Sequence, residues 1–304
     1  AFERRYEALH PDVDVQTMDM GSQEILERLR SERANPQADV WWGAPAPTFE
    51  DAARDSLLER FTPTWAGQLP ADARDPEGYW YGTYLTPEVI AYNTAAVPAA
   101  QAPKDWDEVL DPRWKGKVII RDPMASGTMR TIFGMIVLRG IRAGGDTAQG
   151  MQWLRRLDGQ TREYVNNPTL LYQKLGRQEG VVTLWDQPDI DALKAKGSFP
   201  LDYVIPASGT PLLVDAVAVV KGTKNPERAR DFAEWIGGPA VVPAAREFFR
   251  IPARSDVPND SLPAALQKTR AAIKPEPMDW VMFQKDSPTW MRWWDEHVRG
   301  KGPK

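Results

Sequence analysis

The sequence predicts an α/β protein of two lobes, each a mixed sheet flanked by helices. Three observations carry that expectation. Helical and extended patterns alternate along 304 residues, a length that supports two ordinary domains. Three strand patterns each end in a small polar residue that leads straight into a helix. No low-complexity linker or internal repeat interrupts the chain, so two lobes require the chain to cross between them more than once.

Taken in order, "FERRYEALHP" sets Phe2, Tyr6 and Leu9 at helical spacing and stops at Pro11, and "VDVQTM" alternates like a strand. Ser22 is placed to cap "QEILERLRSERA", with Ile25, Leu26 and Leu29 as its apolar stripe. "ADVWW" reads as a short buried strand, "TFEDAARDSLLE" as a helix, and "YWYGTYL" and "EVIAYN" as two further strands. "DWDEVLDPRWKGKV" is a small helix and turn before the strand "KVIIRD". Helices follow at "SGTMRTIFGMIVLRG", "TAQGMQWLRRLDG" and "NPTLLYQKLGRQEG". Then come strand "VVTLWD", helix "PDIDALKAKG", and strands "LDYVIP" and "LLVDAVAVVKG". The last third reads as helices at "NPERARDFAEWIGG", "PAVVPAAREFF", "SLPAALQKTRAAI" and "SPTWMRWWDEHVRG".

Composition narrows the function. A net charge of -4 without a basic stripe excludes the concentrated Lys and Arg that hold a nucleic acid. No apolar run approaches the roughly 20 residues that cross a bilayer. With no cysteine there is no disulfide, thiolate metal site or Cys nucleophile. Only His10 and His297 are available for histidine chemistry, which leaves a catalytic triad or a His-metal site little to draw on. Asp105 and Asp107 fall on a polar helix face, where solvated charge is the expected role. No cofactor motif occurs, and a non-enzymatic protein is expected.

The three strand-to-helix junctions are the candidate binding residues. In "VIIRDPMASGTMRTIF" Ser126 caps a helix, and Gly127 and Thr128 carry first-turn amides. In "YVNNPTLLYQKL" Asn167 is the cap and Pro168 the first helical residue; in "TLWDQPDIDAL" the cap is Asp186 or Gln187, followed by Pro188. Helix N-termini carry partial positive charge and spare donors, so "SGT" suits a phosphate, phosphonate or carboxylate, and equally an ordinary cap. Asp186 and Asp215 suit an ammonium or hydroxyls, or simple solvation. Thirteen tryptophans suggest either packing or an aromatic ligand wall. In "ADVWWGAP" neighbouring strand side chains face opposite ways, so Trp41 is assigned to the core and Trp42 to the ligand side.

Several stretches, in order, resemble the periplasmic solute-binding proteins of ABC importers, in the branch that includes ferric-iron, 2-aminoethylphosphonate and sugar-phosphate binders. They are "ADVWWGAP", "FEDAARDSLLE", "DPEGYWYGTYLTPEVIAYN", "WDEVLDPRWKGKVIIRDPMASGT", "DAVAVVKGTKNPERARDFAEWI" and "WWDEHVRG". The resemblance implies a type II periplasmic-binding-protein clamp that closes two lobes around a solute, works as a monomer, and docks on a membrane permease. It implies lobe 1 at 1–92 plus 212–304 and lobe 2 at 93–211, with crossovers near "VIAYN" and "ASGTPLLVDA". It also implies a periplasmic or lipid-anchored protein, exported by a signal that this sequence does not contain. The family opens with a strand and loop ahead of the helix that begins here at "FERRY", and that loop contributes to its site.

The same resemblance assigns the phosphoryl oxygens to Ser126, Gly127 and Thr128 and the rest of the solute to Asp186 and Asp215. Trp42, Asn167 and Gln187 complete the expected ligand set, with no metal. Ferric-binding members carry adjacent tyrosines where this chain reads Trp185, Asp186 and Gln187, and no Tyr-Tyr pair occurs in it. An organic anion is therefore expected ahead of ferric iron, which needs hard phenolate ligands. A hydrolase using the same clamp is the alternative of another class.

Overall fold

The computed structural model describes residues 2–302. Its helices are α1 (Phe2–Leu9), α2 (Ser22–Ser31), α3 (Ala46–Arg54), α4 (Gly127–Gly144), α5 (Ala148–Gln160), α6 (Pro168–Gly176), α7 (Gln187–Ala195), α8 (Pro226–Gly237), α9 (Val241–Phe248), α10 (Ala264–Ala272) and α11 (Trp280–His297). Its strands are β1 (Val40–Pro45), β2 (Leu58–Glu59), β3 (Tyr81–Asn93), β4 (Val118–Arg121), β5 (Thr161–Val165), β6 (Val182–Asp186), β7 (Leu201–Val204), β8 (Leu212–Val220) and β9 (Ile251–Pro252). The chain is α/β, as its alternating patterns predict, and it divides into two compact units. Unit 1 takes 2–84, 214–244 and 252–258; unit 2 takes 85–213, 245–251 and 259–302.

In unit 1, β8 lies between β1 and β2 and is antiparallel to both, with Val219 opposite Val40 on one side and Glu59 on the other. A strand flanked on both sides reads as a continuous apolar run, and "AVAVV" is that run. Trp41, Phe49, Leu26 and Leu29 fill the core beside it. Tyr6 closes α1 onto α8 through an edge contact with Phe232 and a tilted one with Trp235.

In unit 2 the strand order is β7, β3, β6, β4, β5. β3 is antiparallel to β6 and β7, whereas β4 is parallel to both β5 and β6. α4 is apolar on almost every face, and it is correspondingly enclosed: Met129, Phe133, Met135 and Val137 are fully buried. α11 contributes Trp294, whose ring meets Phe133 and Tyr164 edge-on, each at 5.2 Å.

Several sequence expectations need correction. "VDVQTM" forms no strand, since no neighbouring chain pairs with it, and Gly21 rather than Ser22 occupies the α2 cap. The helix expected to run through "SLLE" ends at Arg54, and Leu58 and Glu59 pair with β8 instead. "DWDEVLDPRW" makes only short 3-10 turns. The two strands expected around Pro87 are one thirteen-residue strand, β3. Its ladder with β6 begins at Glu88, so the missing Pro87 N–H falls outside that register. α11 begins at Trp280 and holds Pro288 inside. The segment expected in lobe 1 at 212–304 is divided, because Phe283, Met291 and Trp294 are buried in the unit 2 core.

Candidate functional site

The parallel run of β6, β4 and β5 sends three carboxyl ends to one edge of the unit 2 sheet, and each enters a helix there. With strands about 4.8 Å apart, the three caps share an edge about 10 Å long. Ser126 Oγ accepts from the Met129 N–H at 3.3 Å, Asn167 Oδ1 from Leu170 N–H at 2.8 Å, and Asp186 Oδ1 from Asp189 N–H at 3.0 Å. Asp186, not Gln187, is therefore the third cap. Ser126 and Asp186 are buried and Asn167 is exposed. As an acceptor in its cap, the Ser126 hydroxyl keeps its own hydrogen to donate. Gly127 is buried beside it, and without a side chain it lets a ligand oxygen approach the backbone. Thr128 is half-buried in the same turn.

Gln187 is fully buried, and its Nε2 donates to Asp191 Oδ2 at 2.6 Å and to the Phe249 carbonyl at 3.3 Å. Its amide thus braces α7 against a backbone held at φ 55°. Sequence reasoning missed two charged residues at this edge. Arg121, the last residue of β4, is 1% exposed and donates to the Val165 carbonyl at 3.4 Å. Glu88, fully buried, sits opposite Asp186 in the β3–β6 register. The signal for Arg121 was present: a charge ending the apolar strand "VII" has to be held by something.

Trp185 is buried, and its indole N–H reaches Tyr172 Oη at 3.0 Å and Asp189 Oδ2 at 3.3 Å. The Tyr172 hydroxyl donates to Asp189 at 2.5 Å. Burial, and then the Asp189 charge, hold the Tyr172 phenol well above its ordinary range. Burial and Asp158 do the same to Tyr164. A raised folded pKa gives stability that is complete below the unfolded value near 10 and is lost as pH climbs beyond it. Each such phenol is expected to steepen the loss by about 1.4 kcal/mol per pH unit above that value. Urea unfolding of Tyr172→Phe at about pH 9 and about pH 11 should therefore show a shallower decline than wild type; equal slopes would refute the assignment.

On unit 1, Trp41 and Trp42 divide as the alternation predicts. Trp41 is 3% exposed and packs on Phe49 with centroids 4.4 Å apart. Trp42 is half-buried, with Phe2 edge-on at 5.0 Å. Its indole N–H donates to Thr83 Oγ1 at 3.0 Å, and the Thr83 hydroxyl donates to the Asp215 carbonyl at 3.1 Å. Trp42 and Asp215 are thereby tied through Thr83, which the sequence did not single out. Gly43 sits in a bulge after Trp42 at φ 89°, where an added Cβ would lie 3.1 Å from Tyr84 Oη.

Residues 35–281 match the family of bacterial extracellular solute-binding proteins. The chain belongs to that family. A probable ABC transporter periplasmic-binding protein of Sinorhizobium fredii is 26% identical over 92% of this chain and 78% of its own length. Iron uptake protein A1 of a Synechocystis strain is 26% identical over 81% of this chain and 70% of its own. Among solved structures, the periplasmic binding protein AfuA from Actinobacillus pleuropneumoniae, with fructose-6-phosphate bound, matches 97% of this chain and 93% of its own with a TM-score of 0.82 at 22% identity. This solute-binding protein thus shares the two-lobed fold of the periplasmic binding proteins and works outside the cytoplasm. Among the described residues no helix is long and apolar enough to cross a membrane.

Proposed function

We propose that this solute-binding protein captures a small organic anion, a phosphonate or phosphorylated sugar-like solute, by closing on it and delivers it as a monomer to an ABC permease. In this reading Ser126, Gly127 and Thr128 take the phosphoryl oxygens, and Asp186 and Asp215 take the ammonium or hydroxyls of the remainder. Trp42, Asn167 and Gln187 complete the contacts. The observation that carries the reading is the gathering of three helix N-termini at one parallel-sheet edge, beside the buried guanidinium of Arg121. AfuA, bound to fructose-6-phosphate, supports the ligand class.

A ferric reading draws on the iron uptake relative. Donor chemistry opposes it: ferric iron suits paired phenolates, and where ferric-binding members carry adjacent tyrosines this chain has Trp185, Asp186 and Gln187. A hydrolytic reading is opposed by the places of the histidines, since His10 stacks on Tyr6 and His297 on Trp293.

Thermal shift with 2-aminoethylphosphonate, fructose-6-phosphate, inorganic phosphate and ferric citrate separates these readings. A bound solute at 100 times its dissociation constant adds about 2.7 kcal/mol. Ser126→Ala is expected to lower stability by about 1 kcal/mol through the lost cap and to weaken the phosphoryl solute by about tenfold or more through the lost charge-assisted bond. Stabilisation by ferric citrate alone, or anion binding indifferent to Ser126, would overturn the proposal. Hydrolysis of a bound solute that stops on Asp186→Ala would move the protein to another class.

A further inference from the structure

The turn that presents Ser126 is built on one residue, Asp122. The Asp122 carbonyl accepts from the Ala125 N–H at 3.2 Å and the Ser126 N–H at 3.0 Å, while its Oδ1 accepts from the Met124 N–H at 2.8 Å. The Asp122 N–H in turn donates to the Val165 carbonyl at 2.9 Å, which fixes the turn to the end of β5. This arrangement places a carboxylate, 16% exposed, four residues ahead of a cap expected to receive an anion. Left uncompensated, that charge would oppose the ligand.

The compensating charge comes from 177 residues along the chain, where Arg299 Nη2 meets Asp122 Oδ1 at 2.5 Å. Arg299 is held by three further side chains besides Asp122. Its guanidinium lies 5.3 Å from the Tyr164 ring centroid and 5.0 Å from that of Trp294, and its Nη1 meets Asp295 Oδ1 at 3.1 Å. The residues after it are fastened too: Gly300 and Gly302 donate their N–H groups to the buried carboxylate of Asp158, at 2.9 and 2.7 Å. Tyr164 donates to that same carboxylate at 2.6 Å. The guanidinium therefore reaches Asp122 already oriented, with little rotamer freedom left to lose.

We propose that Arg299 is a positioning residue for the anion cradle: from the C-terminal segment it neutralises Asp122 and fixes the turn that carries Ser126, Gly127 and Thr128. This rests on the anion reading above, for the affinity effect alone. Removing the guanidinium acts twice, by exposing the Asp122 charge to the ligand and by loosening the carboxylate that accepts from Met124. Arg299 itself touches no ligand in this assignment.

The test is titration with inorganic phosphate of the whole chain in wild type, Arg299→Met, Arg299→Lys, Arg299→Met/Asp122→Asn and Arg299→Met/Asp295→Asn. Amide hydrogen exchange of residues 122–129 is followed in each. Arg299→Met is expected to weaken phosphate about tenfold, more at low salt, and to speed exchange of the Ser126 amide. Arg299→Lys, which keeps the charge but not the fork, should fall between. Asp122→Asn retains the acceptor for Met124 while deleting the charge, so adding it to Arg299→Met should restore affinity to within about threefold of wild type; adding Asp295→Asn should restore nothing. Unchanged affinity in Arg299→Met, or no rescue by Asp122→Asn, overturns the inference and leaves the anion reading intact. Failure of the wild type to bind phosphate, 2-aminoethylphosphonate and fructose-6-phosphate alike overturns the anion reading instead. Exchange then decides this inference alone: a faster Ser126 amide in Arg299→Met upholds the turn-fixing role, and an unchanged one removes it.

Discussion

Replacing Trp41 by alanine is expected to remove about 3–5 kcal/mol from unit 1, the range for deleting a large aromatic side chain from a core. Trp41 is 3% exposed, stacks at a 34° tilt on Phe49, and shares its pocket with Leu26 and Leu29. The backbone that carries Trp41 has little freedom to fill the gap, because Val40, Trp41 and Trp42 are paired in register with Val219, Ala218 and Val217 of β8. The indole N–H of Trp41 is buried without a hydrogen-bond partner, so Trp41→Phe sheds an unsatisfied donor while keeping most of the ring, and it should cost well under half as much. Trp42→Ala makes the contrast. Trp42 is half-buried and loses one hydrogen bond, to Thr83, together with the edge contact to Phe2, so about 1–2 kcal/mol is expected. Its larger effect should be on solute affinity. Urea unfolding and solute titration of the three variants decide the matter; equal stability losses in Trp41→Ala and Trp42→Ala would show that the two side chains do not divide the work.

The neighbouring tryptophans also mark how far sequence reasoning reaches. Alternation along a strand is strictly local, so it assigned Trp41 to the core and Trp42 to the other face without knowledge of any partner. The caps at Ser126, Asn167 and Asp186 were legible for the same reason, since a cap is a contract between residues three positions apart. Their convergence on one sheet edge depends on strand direction and order, which the alternation of elements suggests only in general terms. What stayed hidden is non-local. The Trp42–Thr83–Asp215 chain joins three segments far apart in sequence, and Arg299 reaches Asp122 across 177 residues. The misplaced C-terminal segment belongs to the same class. Nothing in "TWMRWWDEH" states which sheet its tryptophans will cover, and the burial of Trp294 against Phe133 and Tyr164 settles it. Boundaries failed where a residue's usual habit was overridden: Pro87 inside a strand and Pro288 inside a helix.

A second large effect is expected from a single methyl group at Gly150. α4 and α5 cross with their backbones in contact: a Cβ on Gly150 would lie 2.5 Å from Val137 Cα and 2.8 Å from the Ile136 carbonyl oxygen. From the other side, a Cβ on Gly140 would lie 2.5 Å from the Gly150 nitrogen. These are backbone atoms inside helices and have no rotamer with which to yield, so Gly150→Ala must push the helices apart. A forced insertion of this kind costs about 3 kcal/mol, partly offset by the roughly 1 kcal/mol that alanine gains over glycine inside a helix. Gly144, the last residue of α4, supplies the control. Its added Cβ would meet only the Nε2 end of the Gln149 side chain, at 2.7 Å, and that amide can swing away. Gly144→Ala should therefore leave stability nearly unchanged, while Gly150→Ala lowers the unfolding midpoint in urea. The consequence for function follows from α4 being one rigid helix from Gly127 to Gly144. Displacing it at Val137 shifts the Ser126 turn at its other end, so Gly150→Ala should also weaken the anion from a site it does not touch. If Gly150→Ala proves as stable as Gly144→Ala, the close crossing of α4 and α5 is wrong, and the coupling between that crossing and the cradle falls with it.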